Sequence, residues 1–214
     1  MPNLIYDKYR LTNQALRPEV GSVLDVGCRD AILKKHLRGD IAYTGIDLMP
    51  GPGVDHVGNA EEGLPFQDAS FDAVVALDLL EHADKIWFVF DELLRVARRQ
   101  VVVLLPNAYH WQFRLQYLRG QEMDKYILPP EPILDRHRWL LSYPSASRFC
   151  RERAARRGWS ARESILHGGR RTMPVDLALS LVSKNLAAWA VMFVIEPVAT
   201  QAAVRDVSPV SSSR

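Results

Sequence analysis

Only 2 of the 214 residues are cysteine, and Cys28 and Cys150 stand far apart. That scarcity excludes a disulfide framework and offers no metal-ligand spacing, so the sequence assigns no metal. Long hydrophobic runs are also missing. The richest stretch, Leu177 to Ala203, is broken by Lys184, Asn185, Glu196 and Pro197. Its uncharged run, Asn185 to Ile195, falls far short of the roughly 20 apolar residues a spanning helix needs. The segment WAVMFVIE, Trp189 to Glu196, therefore reads as a buried strand, and no membrane span is expected. The start, MPNLIYDKYR, has no basic-then-apolar export signal, which makes a cytoplasmic location the expectation. Charge of one sign is lacking as well. Lys and Arg number 27 against 25 Asp and Glu, a net +2, too little to argue for a nucleic-acid partner. The arginines do cluster, at Arg95, Arg98 and Arg99 and from Arg148 to Arg157, and both clusters read as solvated helix faces.

What is present suits one globular unit. Apolar residues make up 48% and charged residues 24%, ordinary values for a packed domain. Residues 1–206 are expected to form a single domain, with the small polar tail VSPVSSSR, residues 207–214, disordered. Apolar runs predict strands at Ser22 to Val26, Ala42 to Ile46, Val54 to Val57, Asp72 to Leu77 and Gln100 to Leu105. Helical spacing predicts helices at Leu4 to Leu16, Ile32 to Leu37 and Lys85 to Arg98. Farther on come a helix at Ser145 to Arg157, a strand near Trp159 to Leu166, a short helix near Val175 to Val182 and the strand at Trp189. Such alternation is the pattern of an α/β, doubly wound, mostly parallel sheet.

The most informative stretch is VLDVGCRDA, Val23 to Ala31, followed by YTGIDL, Tyr43 to Leu48. A buried strand ends at Asp25 and Gly27, a helical segment follows, and a second strand closes at Asp47. An acidic side chain one strand after a glycine turn is the arrangement that holds a ribose by its hydroxyls. Nicotinamide dinucleotides and S-adenosylmethionine both fit it. A pyrophosphate, however, needs G-x-G-x-x-G, whereas one glycine, Gly27, is followed here by Cys28, Arg29 and Asp30. Asp30 would repel a pyrophosphate, so the turn favours S-adenosylmethionine.

A second segment is one the sheet does not require. Between Pro106 and Leu141 the chain leaves the carboxyl end of the fifth strand, the edge where open sheets bind ligands. It carries Tyr109, His110, Trp111, Phe113, Tyr117, Tyr126 and Trp139, with Asp135, Arg136, His137 and Arg138 together. An insertion this long reads as a lid or an acceptor-binding element, or as a surface hairpin packed by its aromatics.

Together VLDVGCRDA, YTGIDL, NAEEGLPFQDASFDAVVALDLLEH and WFVFDELLRVARR resemble class I S-adenosylmethionine-dependent methyltransferases of the type 11 kind, over Val20 to about Leu105. The following VVVLLPNAYHWQFRLQYLRG and the late NLAAWAVMFVIE are similar to the MetW methionine-biosynthesis family. The resemblance implies a Rossmann-like, seven-stranded sheet with its last strand antiparallel. It places Asp25 and Gly27 at the methionine moiety, Asp47 at the ribose, Asn59 and Ala60 at the adenine and Asp78 on the cofactor floor, with Leu79 and His82 following on the substrate side, and it counts Cys28, Arg29, Leu48 and Leu79 among the cofactor-binding residues. It departs from the family where Arg29 and Ala31 replace glycines and Asn59 replaces an aspartate. Arg29 points outward or forks onto the cofactor's carboxylate.

Methyl transfer needs alignment more than acid–base help, and a base only for a weakly acidic acceptor. His82 is the first candidate, followed by His110 and His137, although for any one histidine a structural role is the commoner case. Three functions fit: a methyltransferase for a small-molecule or glycan-related acceptor, a non-catalytic partner of a homoserine acyltransferase, and a nucleic-acid methyltransferase. The last is disfavoured, because DLLEH stands where amino-group methylation of bases would need an acceptor–proline–aromatic tetrapeptide.

Overall fold

A computed structural model describes residues 7–198 apart from 124, 129, 132 and 134, so the expected helix start at Leu4 and the tail 207–214 lie outside the described residues. The strands are β1 (Ser22–Val26), β2 (Ala42–Asp47), β3 (His56–Val57), β4 (Phe71–Leu77), β5 (Ala97–Pro106), β6 (Trp159–Leu166) and β7 (Ala190–Pro197). The helices are α1 (Lys8–Ala15), α2 (Ile86–Val96), α3 (Trp111–Leu118), α4 (Tyr143–Ala155), α5 (Met173–Ser180) and α6 (Lys184–Ala187). One sheet takes the order β3-β2-β1-β4-β5-β7-β6. The first five strands pair in parallel, and β7 runs antiparallel to both β5 and β6. This is the Rossmann-like sheet with an antiparallel last strand that the motifs imply.

The sheet is covered on both faces because its central strands are apolar on both. Leu24 and Val26 join Val74, Ala76, Val101 and Val103 in one core, while Val23 joins Ala73, Val75, Val102 and Leu104 in the other. Side chains alternate across a strand, so one short run supplies both layers. α2 seals the first core with Ile86, Val89, Phe90, Leu93 and Leu94, the i, i+3, i+4 spacing of a one-sided helix. Burying side chains such as Phe90 and Leu93, both 0% exposed, contributes about 2 kcal/mol each. Chain order reverses between β1 and β4, which are neighbours, and this opens a crevice at the carboxyl ends of β1, β2 and β4.

Three local expectations change. Residues Ile32–Lys35 make only a single 3-10 turn, starting from Ala31 at φ +49° with no side-chain cap. The helix expected to reach Arg98 stops at Val96, because Ala97 is extended and begins β5 by pairing with Phe71. The arginine clusters are braced by carboxylates. Arg95 binds Glu92 and Asp68 and the carbonyls of Leu64 and Phe66, Arg98 and Arg99 share Asp72, and Arg153 and Arg157 clamp Asp91 on α2.

The segment from Pro106 to Leu141 is tied down at both ends. Asn107, fully buried, donates to the carbonyls of Asn185 and Ala188, and its Oδ1 accepts from the N–H groups of Tyr109 and Tyr143. The return leg then runs against the turn after β4. Arg138 N–H donates to the Glu81 carbonyl at 2.7 Å, and Trp139 Nε1 donates to the Ala83 carbonyl at 2.7 Å.

Candidate functional site

The crevice at the strand ends is a cleft of about 190 Å³, lined by Val26, Gly27, Ile46, Asp47, Leu48, Gly58, Asn59, Ala60, Glu61, Leu79, His82, Ala83, Val89 and Arg138. Its walls are mostly aliphatic, with Asp47 and Glu61 as acids and Arg138 the single arginine. The first turn forms its base. Gly27 sits at φ +75°, which favours glycine, whereas the Cβ it lacks would meet only the movable end of Leu79, Cδ1 at 2.9 Å. The N–H groups of Gly27 and Cys28 both donate to the Ile46 carbonyl, which closes the turn onto β2.

Arg29 and Ala31 both have positive φ, +52° and +49°. The turn has therefore kept the backbone shape that favours glycine while carrying side chains. Asp47 locks it: Oδ2 accepts the Arg29 N–H at 2.8 Å and Oδ1 accepts the Met49 N–H at 3.1 Å. Each oxygen retains a lone pair, and the carboxylate reaches the cleft already oriented. Arg29 itself is exposed and does not line the cleft. Cys28 is buried under the turn, close to Gly45 and Tyr43, and burial pushes its thiol up to about 11.

Asp25 and Asp78 are not among the residues that line the cleft. Asp25 is buried and accepts from the Tyr43 hydroxyl at 3.0 Å; burial pushes its carboxyl up to about 7. Asp78, at φ +54°, is held by Lys8 of α1 at 2.7 Å. Asn59 is spent locally: Oδ1 caps the Ala60–Glu62 turn through the Glu61 N–H, and Nδ2 donates to the Glu62 carboxylate. An aspartate could make the cap but not the second bond, which is a local reason for asparagine.

Of the three histidines, His82 lines the cleft and His137 lies against it, ring to ring at 4.8 Å in a T-shaped pair. Burial lowers both from the usual range, His137 to about 4. His110 is elsewhere. It is fully buried, with Nε2 3.0 Å from Asp176, which also accepts from Trp111 Nε1 and the Gly168 N–H. The structure thus brings Gly27, Asp47, Leu48, Asn59, Ala60, Leu79 and His82 together around one cleft, and leaves Asp25, Cys28, Arg29, Asp78 and His110 outside its lining.

Residues 8–185 match the family described as methionine biosynthesis protein MetW. This chain belongs to the MetW family. Among solved structures, the small RNA methyltransferase HEN1 is 13% identical with TM-score 0.63, over 94% of this chain and 27% of that one. A Haloferax volcanii complex between the Trm112 methyltransferase activator and a putative methyltransferase gives 14% identity and TM-score 0.55, over 90% of each chain. Magnesium protoporphyrin IX methyltransferase from Synechocystis PCC 6803, with bound SAH, gives 15% and 0.52 over 82% and 74%. At these identities the likeness is one of fold. Among curated proteins, none matches the sequence.

In this MetW-family chain, sequence reasoning passed over one residue beside the cleft. Glu81 is 1% exposed, and its Oε2 has no hydrogen-bond partner. Burial, reinforced by Asp78, holds its carboxyl well above the usual range. The signal was present in DLLEH, where Glu81 directly precedes His82. What the sequence could not supply was the return of His137 to the same spot.

Proposed function

We propose that this protein binds S-adenosylmethionine in the cleft at the ends of β1, β2 and β4 and transfers its methyl group to a small-molecule or glycan-related acceptor. The observation that carries this reading is Asp47, fixed by two backbone N–H groups at the end of β2 with lone pairs left for a ribose diol. The donor set suits that cofactor. Val26, Ile46, Leu48, Ala60 and Leu79 offer apolar walls to an adenosyl group, and the first turn spends its amides on Ile46 rather than on a phosphate. When bound, the cofactor supplies an electrophilic methyl group. The chain's own residues orient it and exclude water: Asp47 holds the ribose, Leu79 packs on the Gly27 turn, and Arg138 lines the cleft. His82, kept neutral by burial, can accept a proton from an acceptor group. At about 190 Å³ the cleft is smaller than the roughly 300–1,000 Å³ usual for small-molecule sites, so loading requires it to widen. Calorimetry of the full chain with S-adenosylmethionine tests the reading; no heat at millimolar cofactor would sink it.

One observation favours the partner role. Along the insertion runs a groove of about 1,180 Å³ lined by Tyr109, Phe113, Tyr117, Leu118, Met123, Tyr126, Ile127 and Leu128, with Tyr117, Leu118 and Leu128 largely exposed. Exposed apolar surface of this kind fits a protein partner. With MetW-family membership, the partner this reading names is a homoserine acyltransferase. Co-purification of that enzyme with the chain tests it.

A further inference from the structure

We infer that Glu81, His82 and His137 form a binding site for a divalent first-row cation. Among the described residues, each of the three brings one ligand atom within 4.8 Å of the others. Three atoms sharing one ion at about 2.1 Å in tetrahedral geometry lie about 3.4 Å apart, so loading asks the cluster to contract by up to about 1.4 Å, a shift within reach of side-chain rotation.

The surroundings prepare the ligands. His82 Nδ1 lies 3.0 Å from the Arg136 carbonyl, which can only accept, so Nδ1 carries the proton and Nε2 offers its lone pair. The Tyr126 hydroxyl donates to the Trp139 carbonyl at 3.3 Å, so its oxygen accepts from His137 Nδ1 at 3.1 Å. That leaves His137 Nε2 facing Glu81 Oε1 at 4.0 Å. An outer partner on the far nitrogen of each imidazole is how ligating histidines are held. Glu81 supplies the independent sign: a buried carboxyl oxygen with no partner, beside the two imidazoles. Of the two lysines whose charge reaches Glu81, Lys8 is engaged by Asp78 and Lys125 by Asp135.

One carboxylate and two imidazoles suit Mn2+, Fe2+, Co2+ or Zn2+ better than Mg2+ or Ca2+. Three protein ligands leave positions open for water or for an oxygen of another molecule. Because His82 also lines the cleft, such an oxygen would belong to whatever occupies that cleft, and with a cation bound His82 is a ligand and no longer the proton acceptor of the cation-free site. This last step rests on the methyl-transfer reading, whereas cation binding does not.

The test is titration of chelator-treated full chain with Mn2+, Zn2+ and Co2+, followed by calorimetry, thermal unfolding and the Co2+ visible spectrum. One equivalent should bind and raise the unfolding temperature, and Co2+ should develop visible bands. Glu81→Gln, which keeps the volume and can satisfy itself without a cation, should fold and bind at least tenfold more weakly. His36→Ala, on a histidine far from the cluster, should bind like wild type. Absence of one-equivalent binding to the wild type overturns the proposal, and so does unchanged affinity in Glu81→Gln. Should that variant fail to fold, His137→Asn in the same titration decides in the same way. Metal binding without cofactor binding would leave this site standing and remove the methyl-transfer reading alone.

Discussion

The backbone N–H of Arg29 donates to Asp47 Oδ2 at 2.8 Å, so the residue standing where a glycine is usual also holds the acid at the end of β2. Turn shape and ribose recognition are thereby coupled through one hydrogen bond that needs no particular side chain at position 29. Asp47→Ala should weaken S-adenosylmethionine binding by about 1–3 kcal/mol through lost charged hydrogen bonds. Asp47→Asn, which still accepts from Arg29, should lose less. Equal affinity for wild type and Asp47→Ala in calorimetry would remove Asp47 from the cofactor site.

Arg29→Gly separates conformation from contact. At φ +52° glycine has no Cβ penalty, so the variant should be more stable by about 1 kcal/mol, a rise of roughly 2–4 °C in Tm for a chain of this size. Because the side chain is exposed and outside the cleft lining, cofactor affinity should stay within about 0.5 kcal/mol. A marked loss of affinity would mean that the guanidinium swings onto the cofactor's carboxylate.

Asp25 makes stability depend on pH. Its folded carboxyl titrates near 7 against an ordinary 3.8, with burial the main cause, opposed by the Tyr43 hydroxyl and Lys8 and assisted by Asp47. The folded state therefore holds a proton that the unfolded state has released between about pH 4 and 7. Stability from this group falls as pH rises through that window and is level above it, with an upper bound of roughly 4 kcal/mol. Asp25→Asn keeps an acceptor for Tyr43 and removes the titration. The variant should melt higher than wild type at pH 8, with the difference vanishing near pH 4. A constant difference across pH would show that Asp25 is not protonated in the fold.

His110 and Asp176 should behave as structure. Asp176→Ala strands the buried donors of His110, Trp111 and Gly168, and is expected to destabilise the fold by about 3 kcal/mol or more. Denaturant unfolding measures this, while the cofactor affinity of the folded fraction should remain unchanged. Full stability together with lost activity would instead point to a chemical role.

Tyr117→Asp with Leu118→Asp probes the groove on the insertion. Both side chains are exposed, at 74% and 81%, so folding should be unaffected. Under the partner reading, association with the acyltransferase should fall at least tenfold, about 1.4 kcal/mol, with cofactor affinity intact. Undiminished pull-down would place the partner surface elsewhere.

Most strands were legible because apolar runs such as Val23, Leu24 and Val26 have one favourable destination, a sheet covered on both faces. The helix expected at Ile32 to Leu37 was misjudged because apolar spacing says nothing of a start residue held at positive φ. The end of α2 was overshot because Arg98 and Arg99 have good helix propensity, but Ala97 and Gln100 pair with β4 on either side of them and Asp72 holds their side chains. Gly27, Asp47, Asn59 and Ala60 could be gathered from sequence because each sits at or just past a strand end, and parallel strands bring those ends to one edge.

The sequence by itself determined the layered α/β fold and the edge at which its cleft lies, since both follow from local periodicity and the order of strands and helices. Tertiary structure decided which polar residues meet there. His110 and His82 look alike in sequence, yet one is sealed against Asp176 and the other lines the cleft. Glu81 and His137 are far apart along the chain and become neighbours only because Asn107 anchors the insertion and Arg138 returns it to the Glu81 carbonyl. Those contacts are long-range hydrogen bonds between single residues, and they leave no period or spacing in the sequence to read.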